Sequence, residues 1–153
     1  MLIHSSSQLL TLKGGPQRGH ALGTLGIIED GAVVIHDEKI IAVGTTPELK
    51  ASYPDEPTLD ASGCVLMPGF VDPHTHLIWA GDRADEFEKK MSGVPYLDIL
   101  AAGGGIISTV RQTRAASMET LITQSRSRLL RMFIHGTTTA EAKTGYGLQT
   151  ATE

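Results

Sequence analysis

The first 63 residues alternate between short apolar, β-branched runs and polar or glycine-rich breaks. Two of these runs, residues 31–36 and 40–44, are joined by Asp37, Glu38 and Lys39. Two β-branched runs with a short polar connection are typical of a β-hairpin. Breaks rich in Gly, Pro, Asp and Ser predict further turns before residue 64. We therefore expect residues 1–63 to form a small antiparallel β unit.

A longer apolar run opens the remainder of the chain, because residues 65–77 predict one buried strand. Residues 95–102 predict a short helix that ends at three glycines, and residues 137–142 predict a second strand. The residues between 142 and 149 are rich in glycine and predict a loop after this strand.

The strongest helical pattern lies between the two predicted strands. Apolar residues recur at near-helical intervals from Met118 to Phe133, with Ser117 as N-cap and Gly136 just past the end. A strand, a helical connection and a second strand form a βαβ unit, whose strands are parallel. Two parallel strands do not close a barrel, and a (β/α)₈ barrel takes about 250 residues. We therefore expect this chain of 153 residues to be part of a larger protein.

Composition narrows the classes of partner. The formal net charge of −4 argues against a nucleic-acid or anionic-membrane partner, since those partners favour a basic surface. No apolar run approaches the roughly 18 residues that span a bilayer, and the first residues lack the pattern of a secretory signal. The single cysteine, Cys64, cannot form an internal disulfide and fits a reducing compartment. We expect a cytoplasmic protein.

The main candidate chemistry is the pair His74 and His76, which follows Pro68 and Gly69 at the end of the apolar run. Alternate residues of a strand point to the same side, so the two imidazoles can reach one metal ion. Two nearby histidines are more often ordinary surface or core residues, but the strand-end position favours half of a hydrolytic metal site. We interpret Asp72 as a residue that holds the loop or orients a ligand.

Three other side chains have two interpretations each. Arg83 is either a solvated residue paired with Asp82 or Asp85, or a fork for a substrate carboxylate. Tyr96 either is a packing residue or lines the same substrate opening as Arg83. Tyr146 lies between two glycines, which suggests a bent loop that presents the phenol. The neighbouring lysine and threonine do not match the spacing of a phosphate-binding loop, so we predict no nucleotide site.

Several stretches together carry a family likeness. Residues 68–76 resemble the first barrel strand of the amidohydrolase superfamily, and residues 31–44 resemble its small composite β-sandwich. With residues 80–83, 103–106 and 141–148 added, the chain resembles the imidazolonepropionase family. The resemblance implies an α/β fold: part of a composite β-sandwich domain over residues 1–63, and the first βα units of an incomplete TIM barrel over residues 64–153.

The resemblance also implies a reaction. Members of this family open 4-imidazolone-5-propanoate with water to N-formimino-L-glutamate in histidine degradation, using one zinc or iron ion. Residue by residue, His74 and His76 match two metal ligands, and Arg83, Tyr146 and, more weakly, Tyr96 match substrate-binding positions. The partner is then a small molecule, and the full-length protein is compatible with a homodimer.

The likeness is incomplete in one respect. The family takes its third histidine ligand, an aspartate and further acid–base groups from later barrel strands, so we predict no catalytic residue here beyond the metal ligands. We expect the isolated chain to be inactive. Two alternatives stay open at this stage: another amidohydrolase, such as a deaminase or a dihydroorotase-like enzyme, and a non-catalytic truncated product.

Overall fold

The computed structural model describes residues 1–153 and divides them into two compact units, Met1–Pro68 and Gly69–Glu153. The first unit is a five-stranded sheet with one α-helix and a single 3₁₀ turn. Its elements are β1 (Leu2–Leu10), the 3₁₀ turn (Gly19–Ala21), β2 (Ile27–His36), β3 (Lys39–Thr45), α1 (Thr46–Ser52), β4 (Thr58–Asp60) and β5 (Val65–Leu66).

The predicted hairpin is confirmed, because β2 and β3 pair in antiparallel orientation. Its connection is only two residues long, and Asp37 and Glu38 both have positive φ angles, of 46° and 63°. Two positive angles in a two-residue connection are the pattern of a type I′ turn, whose twist matches that of the flanking strands.

The expectation of a wholly antiparallel unit is wrong. Strands β4 and β5 pair with β1 in parallel orientation, so the sheet is mixed. Parallel neighbours cannot be joined by a tight turn, and the chain between β1 and β4 includes β2, β3 and α1. The helix α1 was not predicted from the sequence. At its start, the Thr45 backbone N–H donates to the Glu48 carboxylate at 3.0 Å, as in a capping box. Leu49 of α1 packs in the core with Leu2 and Val34 of the sheet.

The second unit contains two strands and four helices. Its elements are β6 (Phe70–Thr75), α2 (Ala84–Met91), α3 (Tyr96–Ala101), α4 (Ile106–Ala115), α5 (Met118–Ile134) and β7 (Thr137–Ala142). Strands β6 and β7 pair in parallel, which confirms the predicted βαβ unit. Helices α2 and α4 were not predicted; they span only 8 and 10 residues, against 17 in α5, so their patterns are short. None of the helices is both long and apolar enough to cross a membrane.

The ends of α5 follow the sequence signals closely. The Ser117 side chain accepts a hydrogen bond from the Thr120 backbone N–H at 3.1 Å, so it acts as the N-cap. Gly136 has a φ angle of 93°, and its N–H donates to the Phe133 carbonyl at 2.9 Å. Glycine adopts this left-handed conformation without the strain that other residues would meet, so Gly136 provides the end of the helix.

The prediction of one strand over residues 65–77 is wrong. Val65 and Leu66 pair with β1 in the first unit, whereas Phe70–Thr75 pairs with β7 in the second. Pro68 has no backbone N–H to donate, so it interrupts the ladder between them. In the structure, the first compact unit ends at Pro68 and the second begins at Gly69.

We expect Ser117→Ala to lower the free energy of unfolding of the second unit by about 1 kcal/mol, because it leaves an N-terminal helix N–H without its acceptor. Urea unfolding followed by far-ultraviolet circular dichroism measures the change. Ser127→Ala is the matched control, since Ser127 is exposed in the interior of the same helix. Alanine has the higher helix propensity there, so the control should be unchanged or slightly more stable. An equal loss in both variants would contradict the capping role.

Candidate functional site

The candidate site forms where β6 and β7 end side by side. Thr75 pairs with Ala142, and the Lys143 backbone N–H donates to the Thr75 carbonyl at 2.8 Å. Because the strands are parallel, the segments that follow them leave the sheet at the same edge. His76 follows β6, and the loop of residues 143–148 follows β7, so the topology places both segments together.

His74 and His76 lie next to each other as the alternation predicted. Their ring centroids are 5.6 Å apart, with His74 exposed and His76 half-buried. The Asp72 carboxylate accepts a hydrogen bond from the His74 backbone N–H at 3.1 Å. Asp72 thus holds the backbone immediately before His74, in line with its predicted structural role.

Aromatic side chains surround His76 on the other side. The Tyr146 ring centroid lies 5.2 Å from that of His76, and the Trp79 ring centroid lies 6.5 Å from that of Tyr146. The Trp79 indole N–H donates to the His76 carbonyl oxygen at 2.9 Å. Tyr146 therefore contacts one predicted metal ligand through its ring, and Trp79 contacts the same residue through its backbone.

His76 has a buried ring nitrogen, Nδ1, with no hydrogen-bond partner. The backbone of Gly145 passes close by: a Cβ there would lie 3.0 Å from His76 Cε1, at a φ angle of 144°. Buried polar atoms are rarely left unpaired, because desolvation without a partner costs about 1–3 kcal/mol. An imidazole that is not committed to a hydrogen bond within the protein is free to act as a ligand.

The two imidazoles suit a metal ion in chemistry and spacing. With Zn–N bonds of about 2.0 Å, two imidazoles on one tetrahedral ion have ring centroids roughly 5–6 Å apart, and the observed separation is 5.6 Å. Imidazole nitrogen binds zinc and iron well. No group of three or more His, Cys, Asp or Glu side chains in residues 1–153 is arranged to hold a metal ion. The residues present thus fit two of the ligand positions.

The loop that carries Tyr146 is held by two charged side chains. The Glu153 carboxylate accepts hydrogen bonds from the backbone N–H groups of Gly145, Gly147 and Leu148, at 2.7–2.9 Å. The Arg114 side chain on α4 donates to the Gly147 carbonyl at 2.7 Å. Since Tyr146 lies between the two glycines, these contacts define the path of the backbone on both sides of it.

These contacts also alter the acidity of Glu153. The hydrogen bond from the Leu148 backbone N–H, followed by that from Gly145, lowers the pKa of the Glu153 carboxyl below its ordinary value, although desolvation opposes the shift. Hydrogen bonds of this kind favour the ionised carboxylate. The loop is therefore held most strongly while Glu153 is charged.

Arg83 and Tyr96 lie elsewhere in the second unit. Both line a cavity of about 420 Å³ beside α2 and α3, and neither lines the cavity of about 760 Å³ next to His76. Arg83 approaches Glu86 at 4.0 Å, and not Asp82 or Asp85 as the simpler interpretation supposed. The structure thus brings together His74, His76 and Tyr146, and it groups Arg83 with Tyr96 at a second location.

Three residues of the site were missed at the sequence level: Trp79, Arg128 and Glu153. Trp79 is the only tryptophan of the chain, which is a compositional signal. Arg128 stacks on Trp79, with its guanidinium carbon 3.6 Å from the ring centroid. Arg128 binds carbonyl groups 51 and 49 residues away in sequence, and no local pattern marks such contacts. Glu153 binds N–H groups 8, 6 and 5 residues before it, in a spacing that matches no turn or capping motif.

We expect the amide proton resonances of Gly145, Gly147 and Leu148 to shift as the pH falls below about 4.3, the ordinary pKa of glutamate. The folded-state pKa of Glu153 is lowered, so its stabilising contribution is complete above the unfolded-state pKa. That contribution is lost as the pH falls through the lowered folded-state value. Proton–nitrogen correlation spectra measure the shifts.

Glu153→Gln should remove this titration and weaken the three hydrogen bonds at all pH values. Glu141→Gln is the control, since Glu141 pairs with Lys143 and does not contact the three amides. Amide resonances that titrate equally in the Glu153→Gln variant would show that another acid holds the loop.

Comparison with known proteins gives consistent results. A family model described as an imidazolonepropionase-like composite domain of bacteria matches residues 31–55, and an amidohydrolase family model matches residues 57–141. The chain is 49% identical to an imidazolonepropionase of Herpetosiphon aurantiacus over 99% of its length, and 55% identical to one of Haloarcula marismortui over 82%. It spans 35% and 30% of these two relatives.

Solved structures agree on the fold. Helicobacter pylori aminofutalosine deaminase matches 92% of this chain and 29% of its own, with a TM-score of 0.60 and 21% identity. Escherichia coli guanine deaminase matches 92% of this chain and 30% of its own, with a TM-score of 0.57 and 20% identity. The predicted fold class and the resemblance to imidazolonepropionases are confirmed. Because an amidohydrolase family model matches more than half of its residues, this chain belongs to the amidohydrolase family.

Proposed function

We propose that this chain supplies part of the active site of an imidazolonepropionase-type hydrolase. The reaction is the opening of 4-imidazolone-5-propanoate with water to N-formimino-L-glutamate. The observation that carries the proposal is the juxtaposition of His74, His76 and Tyr146 at the ends of two parallel strands. It is supported by 49% identity to an imidazolonepropionase over nearly the whole chain.

One zinc or iron ion belongs to this proposal, with His74 and His76 as two of its ligands. Such an ion lowers the pKa of a bound water and polarises a carbonyl, which is the chemistry that opens a cyclic amide. The unpaired Nδ1 of His76 and the 5.6 Å separation of the two rings support the assignment of both residues.

Tyr146 and Arg83 are proposed to bind the substrate. The Tyr146 ring contacts His76, so its phenol is held close to the reacting group and can form a hydrogen bond with the ring or its product. Arg83 lines a different cavity from His76, so its role in the proposal rests on the family resemblance. Its side chain is 46% exposed and contacts Glu86 only at 4.0 Å, which leaves its guanidinium available for the propionate carboxylate. Tyr96 lines the same cavity as Arg83 and is a weaker third candidate.

The number of ligands limits what residues 1–153 do alone. Catalytic zinc sites use three protein ligands and keep one position for water, whereas this chain offers two imidazoles and no cluster of three. We therefore propose that the chain by itself has no turnover. Its family resemblance implies that later barrel strands contribute the third histidine and an aspartate. A cytoplasmic location and a homodimer stay predictions from the sequence.

We expect residues 1–153 to bind cobalt(II), a spectroscopic substitute for zinc, and His74→Ala or His76→Ala to abolish most of that binding. Loss of a neighbour of a ligand costs 10–100-fold in metal affinity, so loss of a ligand itself should cost about 100-fold or more. Absorption titration gives the dissociation constants. His20→Ala is the control, because His20 is an exposed residue of the first unit. Equal affinity in all four proteins would contradict the assignment of the ligands.

Activity is tested in a chimera in which this chain replaces the matching segment of the Herpetosiphon aurantiacus imidazolonepropionase. We expect the chimera to convert imidazolonepropionate to formiminoglutamate, and His74→Ala in the chimera to abolish the conversion. A folded, metal-binding chimera that ignores this substrate but acts on guanine or another cyclic compound would overturn the proposed substrate.

A further inference from the structure

Arg128, in the middle of α5, places its Nη1 group and the face of its guanidinium against the segment that follows His76. Its Nη1 group donates to the carbonyl oxygens of Leu77 and Trp79, both at 2.9 Å. Its Nη2 group donates to the Gln124 side chain, on the same helix, at 3.2 Å. The face of the guanidinium stacks on the Trp79 ring at 3.6 Å. One side chain thereby binds both the backbone and the indole of residues 77–79.

The segment held in this way is connected to the site on two sides. The Trp79 indole donates to the His76 carbonyl at 2.9 Å, and the Trp79 ring meets Tyr146 edge to face with centroids 6.5 Å apart. Tyr146 in turn contacts His76 at 5.2 Å. Ser125, also on α5, adds a hydrogen bond to the Leu77 carbonyl at 3.1 Å. Arg128 is therefore linked to both site residues through Trp79.

A charged residue is a costly choice for this location. Burial lowers the pKa of Arg128, because desolvation opposes its charge. An apolar side chain would avoid that cost while packing α5 against the segment. A guanidinium, however, can donate to two carbonyl oxygens and stack on an indole at once, which neither an apolar side chain nor lysine can do.

We propose that Arg128 is a positioning residue, which acts through Trp79 to set the orientation of Tyr146 and the backbone of His76. The inference rests on the proposed function for the purpose of the site, whereas its physical content concerns only the contacts among Arg128, Trp79 and Tyr146. It adds to the site a residue that contacts neither the predicted metal nor the predicted substrate-binding group. Its loss should alter the site while leaving the metal ligands themselves intact.

The variants are Arg128→Ala and Arg128→Lys, with Arg131→Ala as the matched control. Arg131 lies on the same helix, carries the same charge and lines the same cavity, but its guanidinium makes none of the described contacts. Trp79 is the only tryptophan, so its fluorescence emission reports on this location alone. Circular dichroism establishes that each variant is folded.

We expect Arg128→Ala and Arg128→Lys to move Trp79 emission to longer wavelength and to increase its quenching by acrylamide. Both should weaken cobalt(II) binding by about tenfold or more, the usual effect of removing a group that orients a ligand. Arg131→Ala should resemble the wild type in both measurements. Full recovery by Arg128→Lys, or unchanged emission and affinity in Arg128→Ala, would overturn the proposal.

A double-mutant cycle tests the route through Trp79. In a Trp79→Phe background, replacing Arg128 should reduce cobalt(II) affinity by much less than in the wild type, because the intermediate contact is already lost. Equal effects in both backgrounds would contradict the route. If Arg128→Ala fails to fold, Arg128→Lys takes its place in the cycle, since it retains the charge and most of the side-chain length. Absence of cobalt binding in the wild type would count against the proposed function, whereas the Trp79 fluorescence would still test Arg128.

Discussion

The parallel pairing of β6 with β7 is the constraint on which the site depends. Phe70 pairs with Thr137 at one end of the ladder, and Thr75 pairs with Ala142 at the other. This register places the segment after His74 beside the glycine-rich loop that carries Tyr146, and the Lys143 N–H extends the ladder by one more hydrogen bond. A shift by one residue would turn alternate side chains to the opposite face of the strand. The contact between His76 and Tyr146 would then be lost.

Side chains that bind backbone groups hold the irregular segments of the second unit. Glu153 binds three N–H groups of the Tyr146 loop, Arg128 binds two carbonyl oxygens after His76, and Glu86 accepts a hydrogen bond from the Gly105 N–H at 2.9 Å. Segments without helix or sheet need such partners, because each unpaired backbone group that is removed from water costs free energy. In this unit the partners are mostly charged, and charge-assisted hydrogen bonds are the stronger kind.

Local signals in the sequence predicted local structure well. The hairpin over residues 31–44, the N-cap Ser117 and the terminating Gly136 were all correct, since each depends on residues only a few positions apart. The strand over residues 65–77 was wrong because pairing with β1 and β7 decides where each part belongs. For the same reason the mixed sheet was not foreseen. The adjacency of His74 and His76 followed from alternation, whereas the separation of Arg83 from Tyr146 depends on how four helices pack.

The two-stranded sheet of the second unit has a further consequence. Each of its strands pairs on one side only, so each presents a row of free backbone N–H and C=O groups along its outer edge. Val71 is 65% exposed and Phe70 is 54% exposed, and β7 begins with three β-branched threonines. Open, apolar edges of high β propensity recruit further strands, whether from the same molecule or from another. In solution, such a unit is expected to self-associate unless another strand pairs with each edge, so the concentration of the chain becomes a variable of its folding.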